Sequence, residues 1–321
     1  MDAAAADLDV VVLGVVRADL NAMAVPDVDF LGLRHVSTLA ACEDEVVISG
    51  RPRVLYVSDL GYEARGRRYC DEDIYLTGRL RGSFDLAVCH PLDARALMGG
   101  FDVVVVRNSG PVLNYQAEYE AFRAAAAEAG ARVFTELSGR GDIAGKQYLL
   151  DLFAAGYPVI PTVDRLEDLG RLPESDWYVA KPKFGADSAG LTVVERSGLP
   201  GLDYTDLLVQ PRIDFTYEVS FYYVDHDFQY ALYAPRPGQR WELEPYEPGE
   251  ADLAFAQRFI DWNTVEQGIQ RVDACRTRDG DLLLVELEDL NPFLSLDRVA
   301  PATRDRFVEA MTNSLLRLSR A

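Results

Sequence analysis

Residues Arg271 to Asn291 read Arg-Val-Asp-Ala-Cys-Arg-Thr-Arg-Asp-Gly-Asp-Leu-Leu-Leu-Val-Glu-Leu-Glu-Asp-Leu-Asn, and no other stretch restricts the fold so tightly. Asp279-Gly280 is a strong signal for a tight hairpin turn, with apolar residues alternating or clustered on both sides of it. Successive side chains of a strand point to opposite faces, which puts Glu286 and Glu288 on one face and Val285 and Leu287 on the other. Asp273 and, two residues before it, Arg271 fall on the acidic side. Three carboxylates and one guanidinium then converge, and acids crowded in a partly dry site repel one another. Magnesium, a hard cation that takes oxygen ligands and bridges to phosphates, relieves that repulsion. The alternative is a polar hairpin whose acids face water, and this stretch alone does not separate the two.

The 321 residues, 49% of them hydrophobic, suffice for one large or two to three modest domains. No apolar run reaches the length of a membrane span, and the Ala-rich start lacks the basic residues of a signal peptide. Cys42, Cys70, Cys89 and Cys275 are scattered without a CxxC pair, and the histidines are only His35, His90 and His226. These features argue against a disulfide scaffold and a zinc site, and they fit a reduced, cytoplasmic setting. A net charge of −20 argues against nucleic acid as a partner, because phosphate backbones are repelled. Of 32 basic residues, only Lys146, Lys181 and Lys183 are lysine. Where arginine serves almost everywhere else, these mark places that need a compact ammonium.

Along the chain, residues 9–16, 53–58, 86–89, 103–107 and 133–135 read as strands, and 45–49 can add another. A helix from about Gln116 to Ala129 ends at Gly130. Strands alternating with helices point to a parallel α/β layer over roughly residues 1–137. Leu137–Ile143 reads as a loop, followed by a helix over about Lys146–Ala155 that Gly156 ends. From Trp177 to Leu287 short strands dominate, antiparallel in expectation, with one helix near Asp252–Gln267. Thr303–Arg317 carries Phe307, Met311, Leu315 and Leu316 at helical spacing.

Lys181-Pro-Lys-Phe-Gly-Ala-Asp-Ser-Ala-Gly190 joins two of those strands. Its small residues, Gly185 and Ser188 among them, let backbone N–H groups approach phosphate oxygens, although an ordinary hairpin turn explains the same composition. Leu207–Ile213 is an apolar strand that ends at Gln210-Pro211, where adenine can be read by the backbone. Arg107 and Asn108 end an expected parallel strand, a place where α/β sheets set ligand contacts. Arg236 and Arg240 flank a Pro/Gly turn and are able to grip a substrate carboxylate, or simply cover the surface.

In combination, these motifs resemble the ATP-grasp superfamily over approximately Gly141 to Asn291, nearest to the D-alanine ligase-like and glutathione synthetase-like carboxylate–amine ligases. The residues that carry the resemblance are Gly145-Lys146 before the Gly-Tyr-Pro-Val-Ile-Pro-Thr run, the Lys181 loop, Gln210 with Glu218 beyond it, and Arg271-Val-Asp273 leading to Glu286-Leu-Glu288. The resemblance implies a parallel α/β domain over 1–137, a small central α+β domain with the glycine-containing loop over 138–211, and an antiparallel-sheet domain over 212–321. It implies ATP and Mg2+, with Mn2+ as an alternative ion. Lys146 and Lys181, assisted by Lys183, would hold phosphates, Gln210 would meet adenine, and Glu218 would meet ribose. Asp273, Glu286, and Glu288 or Asn291 would hold the metal, while Arg271 would steady the transferring phosphoryl group. One departure stands out: where the family has asparagine this chain has Glu288, and asparagine comes only at Asn291.

The activity implied is ADP-forming ligation of a small, amino-acid-like carboxylate to an amine. The Glu286–Asp297 run is similar to small ligases that build antibiotics from amino acids, including the type that closes cycloserine. A small-molecule phosphotransferase and a non-catalytic nucleotide-binding module are the rival readings, and an oligomer is compatible with any of the three.

Overall fold

A computed structural model describes residues 50–321, except 65, 66, 69, 108–111, 185–189, 237, 238 and 240; all of them fall in the compact unit Ser49–Ala321. The strands expected at 9–16 and 45–49 lie outside the described residues.

The first strand, β1 (Arg53–Val57), precedes a short ribbon of β2 (Glu63–Ala64) and β3 (Arg67–Arg68) and then helix α1 (Cys70–Leu80). Next come β4 (Asp85–Cys89), α2 (Ala94–Leu97), β5 (Val103–Val106), α3 (Gln116–Ala129) and β6 (Val133–Phe134). The strands β4-β1-β5-β6 form a parallel sheet in that order. The inner strand β5 is four successive valines, all buried, as a strand covered on both faces requires. Helix α3 stops where the sequence places its end, because Gly130 adopts the left-handed conformation (φ 60°) that closes a helix.

Helix α4 (Tyr148–Ala154) leads into an extended run whose Val159 bridges to Leu284 and whose Val163 bridges to Val209. A three-stranded antiparallel sheet follows, made of β7 (Trp177–Pro182), β8 (Thr192–Glu195) and β9 (Leu207–Pro211) in the order β8-β7-β9. The last sheet has five antiparallel strands in the order β12-β11-β10-β13-β14. Its strands are β10 (Phe215–Val224), β11 (Asp227–Ala234), β12 (Glu244–Tyr246), β13 (Ile269–Thr277) and β14 (Leu282–Glu288). Helix α5 (Glu250–Trp262) precedes β13, and α6 (Pro301–Leu318) follows β14.

Helix α5 stops short of the expected Gln267, because Asn263 turns extended (ψ 154°) and buries its amide against Gln270 and Asp289. Alternation along β10 sorts the packing. Val219, Phe221 and Tyr223 join α4 and α5 in one core. Tyr222 and Val224 join α1, α6 and one face of the parallel sheet in another.

Candidate functional site

Two opposed strands carry the acids. In the β13–β14 ladder Arg271 pairs with Glu288 and Asp273 with Glu286, so all four stand on the face opposite Val272 and Leu287, which are fully buried. The hairpin turns at Asp279-Gly280, where Gly280 takes φ 93°, open to glycine and strained for other residues. The register shifts between Asp273 and Ala274, so that Val285 is an extra residue, a β-bulge.

Arg271 forks onto Asp273 (2.9 and 2.7 Å), reaches Glu288 (2.6 Å) and donates to the Phe293 carbonyl (2.8 Å). Ser220 adds a hydroxyl donor to Asp273 at 2.6 Å. Burial pushes the Glu288 carboxyl up to about 7, against the lowering pull of Arg271.

A second segment brings another acid. Asp142, in the turn before α4, accepts from Lys146 Nζ at 2.8 Å, and Lys146 also pairs with the Glu286 carboxylate. Asp142, Glu286 and Glu288 each offer an oxygen within 4.8 Å of the others. A set of carboxylate oxygens at that spacing suits a hard divalent ion such as Mg2+. The sequence reading passed over Asp142, because Gly-Arg-Gly-Asp looks like an unremarkable loop. The available signal was its spacing of four residues from Lys146, a pairing distance near a helix start.

Lys181, on β7, donates to the Val285 carbonyl at 3.4 Å, so the bulge is its seat. Burial, and then the charge of Lys146, brings its ammonium down to about 7. Lys183 points elsewhere, to Asp164 at 2.9 Å, while its carbonyl accepts the Lys146 N–H at 2.8 Å. Gln210 is buried in β9, where its amide donates to Thr162 at 2.8 Å. Glu218 lies on β10, paired in register with Cys275 and Ala234. Gly185 and Ser188 lie outside the described residues.

The structure thus groups Lys146, Lys181, Arg271, Asp273, Glu286 and Glu288 around the end of β14, with Asn291 three residues further on. The two described substrate candidates, Arg107 and Arg236, are not so grouped. Arg107 is only 5% exposed and spends its guanidinium on Asp73 (3.2 Å), Glu72 (3.5 Å) and the Pro292 carbonyl (2.7 Å). It is a buried bridge rather than the strand-end ligand contact expected. Arg236 pairs with Glu242 and Glu244, both at 3.1 Å, at a half-exposed turn. Asn108 and Arg240 lie outside the described residues.

No protein-family model matches the chain, and no curated protein matches it by sequence. Solved structures do match it. D-cycloserine synthetase DcsG is similar with a TM-score of 0.65 and 22% identity, over 83% of this chain and 99% of that one. D-alanine–D-alanine ligase from Bacillus anthracis, complexed with ATP, is similar with a TM-score of 0.57 and 13% identity, over 83% and 97%. The ATP-grasp ligase PsnB, complexed with a phosphomimetic variant of its minimal precursor, Mg and ADP, gives 0.56 and 15% over 84% and 99%. The chain has the ATP-grasp fold.

Proposed function

We propose that this protein is an ATP-dependent, ADP-forming ligase that joins an amino-acid-like carboxylate to an amine, in natural-product synthesis or ring closure. The observation that carries this reading is the convergence of two lysines, one arginine and four carboxylates at the end of β14. The fold shared with ligases whose names include D-cycloserine and D-alanine supports the substrate class. In this proposal the three domains keep the boundaries 1–137, 138–211 and 212–321.

A carboxylate is a poor electrophile until it has a leaving group. One of its oxygens attacks the γ-phosphorus while the bond to ADP breaks. The amine then attacks the acyl carbon, the bond to phosphate breaks, and the amine gives up a proton. Lys146 and Lys181 hold phosphate oxygens, and Arg271 faces the charge on the group in transit, where fixed charges supply most of the catalysis. Gly185 and Ser188 would serve the phosphates, Gln210 would meet adenine and Glu218 ribose, whereas Lys183, paired with Asp164, would not reach the phosphates as placed. Asp142, Glu286 and Glu288 would hold Mg2+, with Asp273 joined to Glu288 through Arg271 and Asn291 kept as a further candidate. When bound, the ion supplies positive charge to phosphate oxygens.

Incubation with ATP, Mg2+ and pooled amino acids tests the reading. ADP with one free phosphate per new amide supports it. A stable phosphorylated product replaces it with a phosphotransferase, and absence of ADP under every mixture replaces it with a binding module.

A further inference from the structure

The residue after β14, Asp289, is fully buried. A carboxylate deprived of water needs N–H donors instead. Asp289 has three: Gly141 N at 2.9 Å, Ile143 N at 2.8 Å and Asn263 Nδ2 at 3.0 Å. Two of these flank Asp142 directly. The turn also approaches too closely for any side chain at its glycines. A Cβ at Gly139 would lie 2.4 Å from Asp289 Oδ2, and one at Gly141 would lie 2.6 Å from the Leu287 carbonyl oxygen. Asp142 comes from a segment about 145 residues away from its fellow acids, and no shared strand sets its distance from them; Lys146 and Tyr148 bridge its side chain to β14, and the two Asp289 bonds hold the backbone on either side of it.

We propose that Asp289 is a positioning residue of the cation site. It locks the Gly141–Ile143 turn so that Asp142 stands against Glu286 and Glu288, while Lys146 keeps its own ties to Glu286 and to the Lys183 carbonyl. The inference rests on the nucleotide and metal reading above and adds a residue that touches neither ligand.

The test is calorimetric binding of ADP, with and without Mg2+, alongside thermal melting. In Asp289→Asn an amide nitrogen replaces one acceptor oxygen. The expected result is unchanged ADP binding without metal, and a Mg2+ concentration for half-maximal tightening raised about tenfold or more, the usual effect of losing a residue that orients metal ligands. Gly141→Ala forces the turn away without removing a polar group and should do the same, so it decides the matter where Asp289→Asn does not fold. Asn263→Ala removes the third donor and the acceptor of the Arg140 N–H, yet leaves both bonds beside Asp142. It should lower the melting point and leave the Mg2+ dependence unchanged.

Parent-like Mg2+ dependence in both Asp289→Asn and Gly141→Ala overturns the inference. So does an Asn263→Ala shift as large as theirs, because the residue would then serve only the fold. A parent protein that binds ADP without any Mg2+ effect overturns the cation site and this inference with it. A parent that binds no ADP overturns the nucleotide reading itself.

Discussion

Two clusters of charge flank the segment that follows β14, one buried and one partly buried, and they are satisfied differently. In the first, Arg107 lies between Glu72 and Asp73, and the acids are otherwise satisfied from within. Glu72 accepts the Leu294 and Leu296 N–H groups at 2.8 and 3.0 Å, and Asp73 accepts the hydroxyls of Tyr56 and Ser58. In the second, Asp142, Asp273, Glu286 and Glu288 face Lys146 and Arg271, and Lys181 rests on a carbonyl. The first cluster is a closed polar network tying the parallel sheet to the chain after β14. With Lys181 counted, each cluster has one acid in excess, but in the second Asp142, Glu286 and Glu288 crowd within 4.8 Å of one another, as the proposed cation site requires. A charge cluster therefore points to a site by how its acids are crowded together, more than by its burial.

The largest test of that contrast is Glu286→Ala, with Asp273→Ala beside it. Mg2+-dependent ATP turnover should fall by about a thousandfold or more, as when a fixed charge at a transition state is removed, while melting stays cooperative. Parent-like turnover in both variants would remove the metal assignment.

The closed cluster should respond in stability instead. Arg107→Met leaves Glu72 and Asp73 buried without a countercharge, at a cost of about 3–5 kcal/mol by denaturant unfolding. A loss below about 1 kcal/mol, the range of exposed pairs, would show that the bridge is not structural.

A smaller effect follows from pH. Burial pushes Glu72 from 4.5 up to about 7, against the pull of Arg107, so the fold prefers its protonated form. That preference contributes fully below about pH 4.5 and is lost as pH rises through about 7. The melting temperature should therefore decline over that window, and Glu72→Gln should flatten the decline. Equal slopes in parent and variant would count against it.

The smallest effect separates the lysines. Lys181, brought down to about 7 by burial, is mostly neutral at pH 8, whereas phosphates favour the ammonium. ADP binding at pH 8 should take up as much as a proton, read from calorimetry in buffers of different ionisation enthalpy. Lys181→Arg should abolish that uptake, and uptake persisting in the variant would place the proton elsewhere.

Much of this was readable from the chain. The Asp279-Gly280 turn and the alternation around it fix the acid face of β14 locally, and Gly130 ends α3 by its own backbone freedom. What was not readable depends on distant partners. Arg107 looks like a strand-end ligand contact until Pro292, 185 residues on, takes its guanidinium. Asp142 looks idle until Asp289 docks its turn. Asn263 continues a helical pattern on paper, but its buried amide bonds are made with residues beyond the helix.

The bulge at Val285 has its own consequence. Since Ala274 already faces Leu284 and Asp273 already faces Glu286, excising Val285 would leave a regular ladder with every remaining side chain on its present side. The strand carries the additional residue without needing it for patterning. What excision would take away is the perch of Lys181, so a one-residue deletion would part that lysine from the acids of β14 while both faces of the sheet keep their pattern.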